Sequence, residues 1–182
     1  MFAPGTMPDL VAGRVLGIDP GLTRCGYAVL EAGPAGSARA IAIGVLRTDT
    51  ASDVAERLAV LHLDFLSLLD EYRPAAVAVE KVFFQTNVRT AISVAQASGV
   101  ILAGAAGRGC AVAQYTPSQV KDTVAGWGGA DKEQVQKMVQ MRLGLASTPR
   151  PADAADAAAI GLCHLAMSAV LVGVATARGR AS

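Results

Sequence analysis

RVLGIDPG, residues 14–21, is the stretch from which the fold is read: a short apolar run, 14–18, stops at Asp19-Pro20-Gly21. The run reads as a strand and Asp-Pro-Gly as the turn that ends it. Apolar stretches follow near 26–31 and 40–47, separated by Gly, Pro and Ser at 33–37, so the first three strands read as a meander. The pattern then changes period. Val54, Leu58, Leu61, Phe65, Leu68 and Leu69 share one face of a helix over 53–72, with Asp53 and Glu56 at capping-box spacing and Arg73-Pro74 closing it. Residues 76–80 read as a buried strand ending on Glu80, 87–106 as an Ala-rich helix and 110–115 as a further strand. Thr116-Pro117-Ser118-Gln119 carries an N-cap, a proline at the first helical position and a capping-box Gln, predicting a short helix to about Val124. Gly126-Trp127-Gly128-Gly129 breaks it, Asp131 opens a helix to about Leu143, and Pro149 and Pro151 precede a final helix. Strands that arrive after helical crossovers imply an α/β fold, a mixed sheet whose later strands are parallel and covered by helices.

Bulk properties narrow the class. The 182 residues suit one domain, here 14–175, with 1–13 an extension expected to be disordered and 176–182 a frayed tail. Cys25, Cys110 and Cys163 are odd in number and far apart, which excludes a disulfide framework and a zinc cluster and points to a reducing, cytoplasmic setting. The uncharged segment 157–177 is long enough to span a bilayer, but it is rich in Ala and Gly, carries His164 and lacks basic flanks. It reads as a buried terminal helix, with no membrane partner. The N-terminus has neither the basic nor the apolar region of a signal peptide. Net charge is +1, yet residues 1–80 hold 6 Lys/Arg against 10 Asp/Glu, and 81–150 hold 8 against 3. That split is open to two readings, a chance fluctuation or a positive face for a polyanion.

Four carboxylates stand out by position. In open α/β sheets, sites gather at the carboxyl ends of strands, and Asp19 and Glu80 each close an apolar strand. Asp19 alone is equally a turn aspartate that satisfies its own backbone. Glu80, ending an Ala/Val run, needs a cation as partner, since an unpaired buried carboxylate is costly. Asp153 and Asp156, three apart, share a helix face in a first turn; they read as helix caps or as ligands. Brought to one edge, the four would repel each other without a counter-ion, and hard oxygen donors suit Mg²⁺ or Mn²⁺. Two such ions, about 3.5–4 Å apart, can activate water and stabilise the departing oxygen of a phosphodiester.

The blocks GIDPGLTRCGYAV (17–29), VEKVFFQTN (79–87), PSQVKDTVAGWGGADKEQVQKMV (117–139) and PADAADAAAIGLCH (151–164) carry a resemblance. In that order, over roughly 14–165, they resemble the RuvC family of bacterial Holliday-junction resolvases, the last two blocks most specifically. The resemblance implies a ribonuclease-H-like fold: a mixed five-stranded sheet flanked by helices on both faces, acting as a homodimer. It implies that Asp19, Glu80, Asp153 and Asp156 hold two Mg²⁺ ions per subunit, Mn²⁺ being the alternative. The implied reaction is paired symmetric nicking of four-way junction DNA at a short T-rich sequence, with RuvA and RuvB as partners, in recombination and repair. Lys121 and Lys132 match lysines that bind DNA phosphate near the site; their alternative is ordinary solvated helix lysines. Phe83 matches an aromatic that contacts junction bases, with Phe84 beside it, and a buried pair is the rival reading.

The chain departs from the family pattern at Ser98, where relatives commonly have Arg, and at Ala95, where they often have Gly. Trp127 reads as a surface anchor or as packing, and His62 and His164 as structural residues. Three other functions compete: an actin-like ATPase or sugar kinase, a YqgF-type RNA-processing nuclease, and a non-catalytic junction-binding module. The length leaves room for one domain of the first, the 117–139 block disfavours the second, and the complete carboxylate quartet disfavours the third.

Overall fold

A computed structural model describes residues 11–82 and 88–179. Five strands form one sheet: β1 (Val11–Asp19), β2 (Arg24–Ala32), β3 (Ala38–Arg47), β4 (Pro74–Glu80) and β5 (Ala111–Tyr115), in the order β3-β2-β1-β4-β5. The first three are an antiparallel meander, and β4 then joins β1, and β5 joins β4, in parallel. The expected mixed sheet is therefore found, with β1 at its centre. β1 begins at Val11, inside the stretch assigned to an extension, whereas residues 1–10 lie outside the described part.

Helices α1 (Val54–Tyr72) and α2 (Val88–Gly107) are the crossovers into β4 and β5 and cover one face. Their core joins Leu61, Phe65 and Ile101 to Leu16, Ile18, Val77 and Val79 of the sheet. Asp53 caps α1 by accepting from the Glu56 amide at 2.9 Å. Arg73 ends the helix in the left-handed region (φ 46°), and Pro74, which cannot extend a helix, opens β4.

The opposite face is covered by α3 (Pro117–Ala125), α4 (Lys132–Arg142) and α5 (Ala152–Gly179). Both short helices begin with complete capping boxes, Thr116 with Gln119 and Asp131 with Gln134. The 157–177 segment is the body of α5, and its Ala157, Ala158, Ala159, Ile160, Leu162 and Cys163 are buried on the sheet. Among the described residues, no helix is long and apolar enough to cross a membrane. His164 is structural, as expected: its Nδ1 lies 2.9 Å from the Tyr115 hydroxyl and its Nε2 3.2 Å from Ser168 Oγ, tying α5 to the end of β5.

What places α5 is a lane of glycine. A Cβ on Gly17 of β1 would overlap the Ala157 carbonyl and come within 2.7 Å of the Gly161 amide nitrogen. One on Gly26 of β2 would overlap the Asp153 carbonyl. Helix backbone thus lies directly on strand backbone, closer than any side chain permits. Neither obstacle is a flexible side-chain end, so Gly26→Ala is expected to cost about 2 kcal/mol or more. Urea unfolding read at constant m-value measures that loss, and a change within 0.5 kcal/mol contradicts the contact (surface substitutions typically fall in that range).

Candidate active site

Asp19 is the last residue of β1 and Glu80 the last of β4, the strand beside it. Ile18 pairs with Val79, so the two carboxylates leave neighbouring parallel strands at the same level. Asp153 lies in the first turn of α5 and Asp156 three residues on, not in the same first turn as the sequence suggested, and both are delivered to the same end of the sheet by the glycine contact at Gly26. Three elements therefore bring four carboxylates to one edge.

Their electrostatics report the crowding. Asp19 is pushed from its ordinary 3.8 up to about 7, first by burial, then by Glu80, Asp156 and Asp153 in that order. Glu80 is raised by burial and then by Asp156. Even the buried thiol of Cys25, pushed up to about 12 chiefly by burial, feels Asp19 and Asp153. It is therefore inert as a nucleophile. Lys132, at the start of α4, answers the crowding: its Nζ donates to Asp156 Oδ2 at 2.7 Å and lowers both Asp19 and Glu80. Its own pKa is raised, mainly by that bond.

A second cation is one the sequence did not single out. Arg24, first residue of β2, places Nε 3.3 Å from Asp153 Oδ2. With one carboxylate drawn to Lys132 and another to Arg24, the acidic side chains are spread. Among the described residues no three metal-binding side chains gather around one point as they stand. The donor set still fits a hard divalent cation: all are carboxylate oxygens, and a carboxyl held near 7 by burial and by its neighbours is relieved by positive charge.

The other singled-out residues fall differently. Lys121 is half-buried on α3 and makes no ion pair with the quartet among the described residues. Phe83 and Phe84 lie outside the described residues. Ser98 is 4% exposed, so that position is one of packing within α2. Trp127 is 56% exposed, with its six-membered ring over Gly129.

Comparison with known proteins gives one answer by three routes. Residues 15–164 match the family model described as crossover junction endodeoxyribonuclease RuvC. A protein of that name from Parafrankia sp. (strain EAN1pec) is 53% identical over 152 residues, covering 84% of this chain and 85% of the relative. The solved structure of T. thermophilus RuvC in complex with a Holliday junction substrate superposes with a TM-score of 0.79 at 42% identity, over 83% of this chain and 92% of that one. The yeast mitochondrial Holliday junction resolvase shares the fold, with a TM-score of 0.66 at 15% identity, over 87% and 80%.

Proposed function

This chain belongs to the RuvC family of crossover junction endodeoxyribonucleases, and from that premise we propose that Asp19, Glu80, Asp153 and Asp156 are its catalytic, metal-holding residues. The observation that carries this assignment is the Asp19 carboxyl held near 7 by burial and by the other three carboxylates. A protein does not keep such a cluster for stability, because each added like charge raises the cost of the next. When bound, a divalent cation, Mg²⁺ or Mn²⁺, would polarise the scissile phosphate and acidify a water for attack on phosphorus.

The chain's own residues do the rest. Asp19 and Glu80, at the ends of adjacent central strands, form the rigid floor of the site. Asp153 and Asp156 enter on α5, whose distance from that floor is set by backbone contact. Lys132 holds Asp156 in place and supplies positive charge where a phosphate would lie. Lys121 and the aromatic pair Phe83 and Phe84 complete the DNA contacts, the lysine to phosphate and the aromatics by stacking on unpaired bases. Paired nicks in opposing strands need two sites, so the working unit is a homodimer. RuvA and RuvB supply the branch-migrated junction in recombination and repair.

Three substrates test this: a synthetic four-way junction, a linear duplex of the same sequence, and an RNA of that sequence, each with Mg²⁺. The expected result is symmetric nicking of the junction, at least about a hundredfold faster than of the other two. Equal cutting of the three would overturn the reading.

A further inference from the structure

The two ends of the β1-β2-β3 meander are charged in opposite styles. At the end away from the site, signs alternate across the strands. Glu31 of β2 takes Arg14 of β1 at 3.0 Å and Arg39 of β3 at 2.6 Å, and register places Glu31 opposite both. At the site end, the register places Arg24 opposite Arg47. Directly paired residues of antiparallel strands project on the same face, where like charges repel. That face is the one α5 covers, because Arg24 reaches Asp153 and Gly26, two residues on, meets the α5 backbone. Both arginines are exposed. Among the described residues Arg47 has no ion pair, and Arg24 has only Asp153, through Nε.

The strand ends that carry the pair are also tied together. Arg57 of α1 donates from Nε to Thr48 Oγ1 at 3.0 Å and from Nη2 to Thr23 Oγ1 at 2.7 Å. Thr48 in turn donates through Oγ1 to the Leu22 carbonyl at 2.5 Å, and its amide donates to the Thr23 carbonyl at 3.3 Å. Thr23 and Thr48 adjoin Arg24 and Arg47, so the ends of both strands are stitched together beneath the two guanidinium groups. Two exposed arginines rooted on strand ends so fixed keep their positive charge side by side, an arrangement that a bridging anion favours. Its position says which anion. Arg24 and Arg47 lie on the β2-β3 flank of Asp19 and meet the carboxylates at Asp153, whereas Lys132 comes from α4 and meets them at Asp156.

We propose that Arg24 and Arg47 form a second phosphate-binding site, distinct from Lys132, which grips the backbone of the cleaved DNA strand on the β2-β3 flank of the carboxylates. This rests on the functional reading above and deepens it: the scissile strand is held by cations from two separate elements, the β2-β3 strand ends and α4. Arg24 also positions Asp153, so its loss affects cutting as well as binding, while Arg47 acts on binding.

The test is junction affinity by fluorescence anisotropy, in Ca²⁺ to suppress cutting, across a salt series. Arg24→Ala and Arg47→Ala are each expected to weaken binding about three- to tenfold and to flatten the slope of log K against log salt by about 0.9, and the double variant by about twice that. Arg47→Lys should keep most of the slope, since a phosphate contact survives as a point charge. Arg39→Ala, at the far end of the same strands, controls for general loss of charge. Unchanged slopes in both alanine variants, or equal weakening by Arg39→Ala, would overturn the proposal. Loss of slope in Lys132→Ala together with unchanged arginine variants would overturn it while leaving the junction reading intact. A wild type that binds duplex as tightly as junction would remove both. Circular dichroism of each variant separates lost contacts from lost fold, and the lysine variant keeps the test decisive if an alanine variant unfolds.

Discussion

Asp19→Asn is expected to lower the rate of junction cleavage by roughly a thousandfold or more while changing junction affinity less than about twofold. The asymmetry follows from where each kind of energy resides. Affinity for DNA comes mainly from cations meeting phosphates, and Asp19 is no cation; the proposed chemistry depends on the carboxylate cluster whose charges converge on Asp19. The same substitution has a second consequence, readable without DNA. Asp19 has a folded pKa of about 7 against an ordinary 3.8, so the folded state favours its protonated form. The stability this gives is fully present below pH 3.8 and is lost as pH rises through 7. In EDTA, wild type should therefore lose stability between about pH 4 and pH 8 relative to Asp19→Asn, which has no proton to give up. At pH 8 the variant should melt higher, by on the order of 5 °C. An Asp19→Asn protein that still cuts the junction, or that melts lower than wild type at pH 8, would remove Asp19 from the centre of the site.

Lys132→Gln carries the second large effect, a fall in cleavage of roughly a hundredfold. Its Nζ bonds Asp156, and its charge lowers both Asp19 and Glu80. Without that charge both carboxyls hold their protons to higher pH, so the acid limb of the kcat/KM profile should move to the alkaline side. Lys132→Arg should restore the position of the limb better than it restores the rate, because charge returns but the compact ammonium geometry does not. A profile that keeps its limb in Lys132→Gln would mean the lysine is a solvated surface charge, its other reading from sequence.

Much of this is legible from residue order because the proposed site sits at punctuation marks. Asp19 and Glu80 end apolar strands, and Asp153 and Asp156 open a helix. Strand ends and helix starts are the places where local pattern is strongest. The capping residues Thr116 and Asp131 were visible for the same reason. What local pattern does not encode is register. That β4 joins β1 and not β3 is a long-range choice, and it is this choice that sets Glu80 beside Asp19. Arg24 carries no such signal: in sequence it is a polar residue after a turn. Only the β2-β3 register sets it against Arg47, and only the seat of α5 brings it to Asp153. Gly17 and Gly26 were likewise silent: a glycine within a strand does not announce which backbone will lie on it.

That lane of glycine has a consequence for how the protein tolerates change over generations. At Gly17 and Gly26 the gap between the strand-borne and helix-borne carboxylates is a chain-to-chain distance, with no side chain between the two backbones. Volume-changing substitutions at Leu61, Phe65 or Ile101, in the core on the other face of the sheet, tax the stability of the whole while leaving that gap alone. The reaction centre is thus decoupled from drift in the greasy interior. It answers to a few residues that have no side chain to vary.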